Sequence, residues 1–110
     1  MHTIKSLQRY IQQYYPHYLQ RCRVDIVDTD ECGAVFGYPS GRGNTGLIRF
    51  IPYTDGTVGV QEGEWHDIGK GVYEWYEVDK WPDVDAYMMM DAHQYPLDKP
   101  AKPLNSYRRY

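Results

Sequence analysis

No hydrophobic run of membrane-spanning length is present in this chain of 110 residues, and no apolar stretch opens it. The first absence argues against a transmembrane helix, and the second argues against a secretory signal peptide. We therefore expect a cytoplasmic protein. A chain of this length is expected to form one domain around a single hydrophobic core.

Cysteine is scarce, since the chain holds only Cys22 and Cys32. Their spacing matches no metal-ligand pair, and no second pair of cysteines or histidines accompanies them. In a cytoplasmic setting we expect two reduced thiols, and a disulfide between adjacent strands is the alternative. The sequence therefore predicts no metal site and no cofactor.

Acidic residues are missing from both ends of the chain. All 15 lie between Asp25 and Asp98, a stretch with only four of the 12 Lys and Arg residues, so residues 25–98 carry a net charge of −11. The segments before and after it, 1–24 and 99–110, hold four basic residues each. Such charge separation concerns partners rather than fold, and it favours a macromolecular partner with a basic surface.

Apolar residues recur every three or four positions near the N-terminus, which predicts an amphipathic helix. The residues of this stripe are Ile4, Leu7, Ile11 and Tyr14. Thr3 is suited to cap the helix, and Pro16 is expected to end or kink it. The expected role of this helix is to cover one face of a sheet.

The middle of the chain alternates apolar and polar residues and contains all ten glycines, a pattern typical of strands joined by turns. Strands are expected around residues 24–26, 34–38, 47–51, 57–61 and 72–78. Since the intervening segments are short, the strands are expected to form an antiparallel sheet.

An Asp-Gly pair at residues 55–56 predicts the turn of a β-hairpin. A two-residue turn would place Arg49 opposite Glu62 in the adjacent strand. It would also put Pro52 at a hydrogen-bonded position, where proline has no N–H to donate. A longer turn, or a bulge at Gly59, is therefore the alternative.

A second helix is expected after Trp81. Pro82 can occupy its first position, and acidic residues in the first turn suit the helix dipole. Its inner stripe would consist of Val84, Tyr87 and Met88. A strand through residues 86–90 is the alternative.

Together these elements predict an α+β fold in a single domain over residues 1–96. The N-terminal amphipathic helix would pack on an antiparallel sheet of four or five strands, followed by a short C-terminal helix or strand. Repeated prolines and basic side chains predict an extended or disordered basic tail over residues 97–110.

Two short motifs are incomplete. Residues 41–46 match the pattern G-x-G-x-x-G, but dinucleotide binding needs a helix after it, and a strand-like segment follows instead. We therefore predict a connection between two strands there. Asp28, Asp30 and Gly33 are spaced partly like a calcium loop. Pro39 stands where that loop needs a bidentate glutamate, so a polar turn is expected.

Histidines next to carboxylates are possible general bases. His66 precedes Asp67, and His93 lies in a separate segment. No motif places a nucleophile beside either histidine, and no metal-ligand spacing links them. We therefore expect the protein not to be an enzyme.

Acidic and aromatic residues alternate in the second half of the chain, a combination that can complement a basic cleft or imitate nucleic acid. The candidate partner-binding residues are Glu62, Glu64, Trp65, Asp67, Glu74, Glu77, Asp79, Trp81, Asp83 and Asp85. Glu62 and Glu64 are two apart on a strand, so they should project from one face. Trp65 and Trp81 are expected to be exposed, and Trp75 is expected in the core. The alternative is an acidic surface that only maintains solubility.

The leading hypothesis is a small non-enzymatic binding protein. Its acidic, aromatic-rich face would occlude a basic site on a larger, nucleic-acid-handling protein such as a nuclease. Size and charge of this kind occur among phage-encoded inhibitors of host defence and among immunity proteins against nuclease toxins, which is an analogy of type only. Two alternatives stay open: nucleic-acid binding by the basic terminal segments, and a structural or assembly subunit with tyrosine-rich contacts.

Overall fold

A computed structural model of the protein describes residues 1–39, 45–66 and 72–95. Its helices are α1 (Ile4–Tyr14), α2 (Pro16–Arg21) and α3 (Val84–Gln94), and its strands are β1 (Ile26–Thr29), β2 (Ala34–Pro39), β3 (Thr45–Pro52), β4 (Val58–His66) and β5 (Val72–Trp81). The strands form one antiparallel sheet in chain order. The expected α+β fold is confirmed, with a helix rather than a strand after β5. The expected basic tail lies outside the described residues.

Helix α1 begins where the sequence predicts and buries half of the expected stripe. Its N-cap is Thr3, whose side-chain oxygen accepts a hydrogen bond from the Ser6 amide, while Ser6 Oγ accepts one from the Thr3 amide. Leu7 and Ile11 are fully buried. Tyr14 is 59% exposed, so its assignment to the inner stripe is wrong.

Pro16 both ends α1 and begins α2, a short helix that no pattern in the sequence predicted. The backbone of Tyr15 leaves the helical region, with φ −128° and ψ 46°. Pro16 then takes the first position of α2, where a missing N–H costs no hydrogen bond. Helix α2 buries Tyr18 and Arg21 against the rest of the domain.

Alternation along the strands separates the two faces of the sheet. The face toward the helices carries the core residues Ala34, Phe36, Tyr38, Ile48, Phe50, Val58 and Val60. Phe50 is central, because Phe36, Tyr18 and Tyr87 all meet its ring edge-on at centroid distances of 5.7–6.1 Å. No element within the described ranges covers the opposite face, which we call the open face.

The hairpin between β3 and β4 has a three-residue loop at 54–56, closed by a backbone hydrogen bond between residues 53 and 57. Gly56 closes the loop with φ 89°, a conformation that favours glycine. The longer turn is therefore confirmed, and Arg49 lies opposite Gln61. The predicted pairing with Glu62 is wrong, and the one-residue shift moves Glu62 to the helix-covered face.

Helix α3 is capped by Asp83, whose carboxylate accepts a hydrogen bond of 2.8 Å from the Ala86 amide. Pro82 therefore precedes the cap, and its predicted place inside the first turn is wrong. The predicted inner stripe is confirmed, since Val84, Tyr87 and Met88 are all buried. Among the described residues, no helix is both long enough and apolar enough to cross a membrane.

A buried ion pair joins α2 to α3. Arg21 Nη2 donates to Asp91 Oδ2 at 2.5 Å, and the two side chains are only 8% and 9% exposed. The guanidinium also lies over the rings of Tyr18 and Tyr95, at 5.4 and 4.6 Å from their centroids. Burial raises the pKa of the Asp91 carboxyl, and the neighbouring Arg21 offsets that effect only in part.

Replacing one member of this pair should destabilise the domain. Arg21→Ala leaves a buried carboxylate without its cation, and we expect it to lower the free energy of unfolding by about 3–5 kcal/mol. Urea denaturation measures this loss. The matched control is Arg9→Ala, which removes an exposed arginine from α1 and should change stability by less than about 0.5 kcal/mol. Equal losses in the two variants would contradict a stabilising role for the pair.

Candidate functional site

A cleft of about 650 Å³ lies between the β4–β5 ladder and α3, on the helix-covered side of the sheet. We call it the acidic cleft. Its charged lining residues are Glu62, Glu77, Asp79 and Asp91. Its aromatic lining residues are Tyr76, Trp81, Tyr87 and Tyr95. None of the described lining residues is a lysine or an arginine, so the cleft is strongly negative.

A bulge in β5 shapes this cleft. Gln61 pairs with Val78 and Gly63 pairs with Trp75, so two residues of β5 stand opposite one residue of β4. The two bulged residues are Tyr76 and Glu77, which stand opposite Glu62. Both line the cleft. A bulge of this kind bends the strand and redirects its side chains. It therefore gathers an aromatic ring and a carboxylate beside Glu62.

Four of the ten predicted partner-binding residues come together in the acidic cleft. Glu77 and Asp79 are exposed there, and Glu62 is half-buried. Trp81 is also present, but it packs against the core, with its ring edge-on to Tyr87 at a centroid distance of 5.7 Å. The expectation of an exposed Trp81 is therefore wrong.

Of the two predicted residues Glu64 and Glu74, only Glu74 is exposed on the surface. As expected, Glu62 and Glu64 share one face of β4. Glu64 is only 9% exposed and accepts a hydrogen bond of 3.2 Å from the Tyr76 hydroxyl. Glu74 lies opposite Glu64 in β5, and its Oε1 is 2.9 Å from His66 Nε2. Glu64 therefore belongs to the packed structure, while Glu74 stays accessible.

Asp83 and Asp85 have roles in the fold. Asp83 caps α3, and Asp85 accepts hydrogen bonds from the hydroxyls of Tyr10, at 2.9 Å, and Tyr15. The hydrogen bond to Asp85 raises the pKa of Tyr10. Burial, together with its own hydrogen bond to Asp85, raises the pKa of Tyr15. Asp85 thus ties α3 to α1. Asp67 lies outside the described residues.

A second groove, of about 840 Å³, crosses the open face. We call it the open-face groove. The β4–β5 side supplies Trp65, Tyr73 and Trp75. The β1–β2 side supplies Ile26, Asp28, Asp30, Glu31 and Cys32, and the floor contains Val35, Leu47 and Arg49. Trp65 is the one predicted partner-binding residue found here. Trp75 is half-buried in this groove, so its expected place in the core is wrong.

Arg49 organises the centre of the open-face groove. Its Nη1 donates to Asp30 Oδ2 at 2.7 Å, and its Nη2 and Nε donate to Gln61 Oε1 at 2.6 and 3.1 Å. The guanidinium carbon lies 4.0 Å from the centroid of the Trp75 ring. Gly63 lies beneath that ring, since a Cβ there would come within 2.4 Å of it. The only sequence signal for this arrangement was an arginine inside an apolar strand.

Asp30 holds the turn between β1 and β2. Its Oδ1 accepts hydrogen bonds from the amides of Cys32, at 2.9 Å, and Gly33, at 2.8 Å. Burial opposes ionisation of Asp30, but the bonds from Arg49 and these two amides outweigh it, so the pKa of Asp30 is lowered. The expected polar turn is confirmed. Within residues 1–39, 45–66 and 72–95, no group of three or more His, Cys, Asp or Glu side chains could hold a metal ion.

The lowered pKa of Asp30 predicts an acid-sensitive contribution to stability. The stabilisation is present above the unfolded-state pKa of about 3.9 and is lost as pH falls through the lower folded-state pKa. Asp30→Asn should therefore cost about 1 kcal/mol at pH 7, a modest value because the Asp30 side chain is 34% exposed and solvent screens the pair.

Urea denaturation at about pH 7 and about pH 2.5 measures this contribution, and the difference between wild type and variant should shrink at the lower pH. Asp25→Asn, at an exposed position before β1, is the control and should change neither value. A difference that is the same at both pH values would contradict the assigned contribution.

The two cysteines are both free thiols but lie in opposite environments. Cys22 is fully buried, and burial raises its pKa to about 12. Cys32 is exposed at the rim of the open-face groove. The expectation of two free thiols is confirmed.

Thiol labelling should distinguish these two cysteines. With a disulfide reagent such as DTNB near pH 8, we expect rapid reaction of one thiol in the native protein, because only a thiolate that the reagent can reach reacts. Both thiols should react in guanidinium chloride. Cys32→Ser should abolish the native reaction, whereas Cys22→Ser should leave it unchanged. Fast reaction of two native thiols would contradict the burial of Cys22.

The structure describes the remaining sequence motifs only in part. Strand β3 begins at Thr45, so a strand and not a helix follows the glycine pattern, whose residues 41–44 lie outside the described ranges. His93 is exposed in the last turn of α3. Comparison with protein-family models, with curated proteins and with solved structures finds no match to this chain. Function is therefore inferred from the two surfaces alone.

Proposed function

We propose that this is a small non-enzymatic binding protein whose acidic cleft receives a basic surface of a larger, nucleic-acid-handling protein and occludes it. The observation that carries the proposal is the composition of the cleft. Four carboxylates and four aromatic side chains line it, and none of its described lining residues is basic. A surface this negative is complementary to a patch of lysine and arginine side chains.

The charges of the cleft differ in how available they are. Asp91 is already paired with Arg21, whereas Glu77 and Asp79 are exposed on β5. These two side chains lie within the stretch of the chain that carries a net charge of −11. Such a field accelerates encounter with a basic partner, and added salt screens it. Binding should therefore weaken as ionic strength rises, mainly through a slower association rate.

The aromatic residues of the cleft would supply the short-range part of the affinity. Tyr76 is 40% exposed and Tyr95 is half-buried, so both can contact a docked surface. Trp81 and Tyr87 pack behind them and form a rigid base. Tyrosine is enriched among residues that dominate binding energies, because its ring buries a large area at a low cost in conformational entropy.

A cleft with carboxylates set among aromatic rings offers a partner the negative charge and flat faces of nucleic acid. This supports a role of the anti-defence or toxin-immunity type, in which the protein competes with nucleic acid for a basic site. The proposed setting is the cytoplasm, in keeping with the two free thiols. Direct nucleic-acid binding is less favoured, since Arg21 is used inside the fold.

Two charge-matched variants test the proposal. The cleft variant, Glu77→Lys with Asp79→Lys, reverses two exposed carboxylates of the acidic cleft. The groove variant, Asp28→Lys with Glu31→Lys, reverses the same number of exposed carboxylates on the open face. Both variants change the net charge equally, so a difference between them reports the location of the binding surface rather than the overall field.

Wild type, the cleft variant and the groove variant are each immobilised and incubated with a lysate of the cells that naturally express the protein, and the retained proteins are compared. We expect wild type and the groove variant to retain the same basic protein, and the cleft variant to retain at least tenfold less. The captured protein should lose its nucleic-acid binding when wild type is added. Equal capture by all three proteins, or a captured partner that still binds nucleic acid, would contradict the proposal.

A further inference from the structure

The open-face groove lies on the opposite side of the sheet from the acidic cleft and shares no described lining residue with it. We propose that this groove binds an extended polypeptide segment that carries a large apolar or aromatic side chain at one end and a lysine or arginine at the other. The proposal is independent of the proposed function, because neither the cleft nor its partner enters the argument.

The β4–β5 side of the groove is a wall of three aromatic side chains. The ring of Trp75 packs over Gly63. The guanidinium of Arg49 stacks on the same ring. Trp65 and Tyr73 stand opposite one another across the strands, with ring centroids 6.5 Å apart. Tyr73 is 63% exposed although it lies beside these rings. Such a wall suits apolar side chains, whose contact area it removes from water.

The β1–β2 side of the groove is acidic. The guanidinium of Arg49 donates hydrogen bonds to Asp30 and Gln61 inside the groove. The ion pair between Arg49 and Asp30 neutralises the charge of Asp30. The exposed carboxylates that remain at this rim are those of Asp28 and Glu31. No described basic side chain forms an ion pair with either of them. This rim therefore attracts a cation and repels a phosphate or a carboxylate.

The distance between the two rims indicates a polypeptide. The groove crosses from β1 to β5, and strands about 4.8 Å apart place these edges about 19 Å from each other. An extended chain advances about 3.3 Å per residue, so about six residues span that distance. A segment with an aromatic or large aliphatic side chain about six positions from a lysine or arginine would meet both rims at once, because residues an even number of positions apart point to the same face of an extended chain.

Peptide display tests this assignment. A phage-displayed library of random 12-residue peptides is selected on the full chain and counterselected on Tyr73→Ala. We expect enriched peptides that share an aromatic or large aliphatic residue about six positions from a lysine or arginine. Fluorescence anisotropy with the enriched peptides should show at least tenfold weaker binding to Tyr73→Ala and to the groove variant, while Tyr73→Phe keeps the affinity.

Two controls isolate the groove. Tyr14→Ala removes a tyrosine of similar exposure from α1, and the cleft variant changes the net charge as much as the groove variant does. Both should bind the peptides like wild type. No enrichment, an acidic consensus, or equal binding by the groove variant would overturn the proposal.

Two other occupants would also overturn it. The first is a single-stranded oligonucleotide of thymidines that binds wild type but not Tyr73→Ala. The second is a dimer of wild type, seen by sedimentation, that Tyr73→Ala abolishes. Failure of the peptide selection leaves the lysate experiment unaffected, since that experiment depends on the acidic cleft.

Discussion

The register between β3 and β4 decides what each face of this protein presents. It follows from a three-residue loop that closes at Gly56 with φ 89°, a conformation open to glycine at little cost. With this register Arg49 faces Gln61 on the open face, and Glu62 turns toward the helices. A loop shorter by one residue would exchange the two sets of side chains and would destroy both the core and the two surfaces.

Buried polar contacts then fix the helices on the sheet. The Arg21–Asp91 pair joins α2 to α3, and Asp85 joins α3 to α1 through two tyrosine hydroxyls. Helix α3 packs on the core through Val84, Tyr87 and Met88, and these polar contacts add directional links to its neighbouring helices. Since α3 forms one wall of the acidic cleft, they also set the width of that cleft.

Much of the architecture was predictable from local patterns, whereas the register of β3 and β4 and the faces of the tryptophans depend on how strands pair. Alternation located four of the five strands, and the capping residue Thr3 located α1, because these signals depend only on neighbouring residues. The first strand was expected over residues 24–26, but β1 begins only at Ile26. Trp75 was assigned to the core because it lies inside a strand, but the bulge in β5 puts it on the face opposite to Trp81. Trp81 was expected in a loop, but it is the last residue of β5 and pairs with Val58 on the helix-covered face. A bulge is a property of two paired strands, and its position cannot be read from one strand alone.

Strand β5 explains why the excess of acidic residues does not make the two faces of the sheet alike. Strand β5 directs Tyr73 and Trp75 to the open face and, beyond the bulge, Glu77 and Asp79 to the cleft. On the open face Arg49 neutralises Asp30, so the groove keeps a mixed, largely apolar character. In the cleft Arg21 neutralises Asp91, but the carboxylates of Glu62, Glu77 and Asp79 keep the lining negative. The composition gives the net charge, whereas the bulge and the register decide on which surface the charged side chains lie.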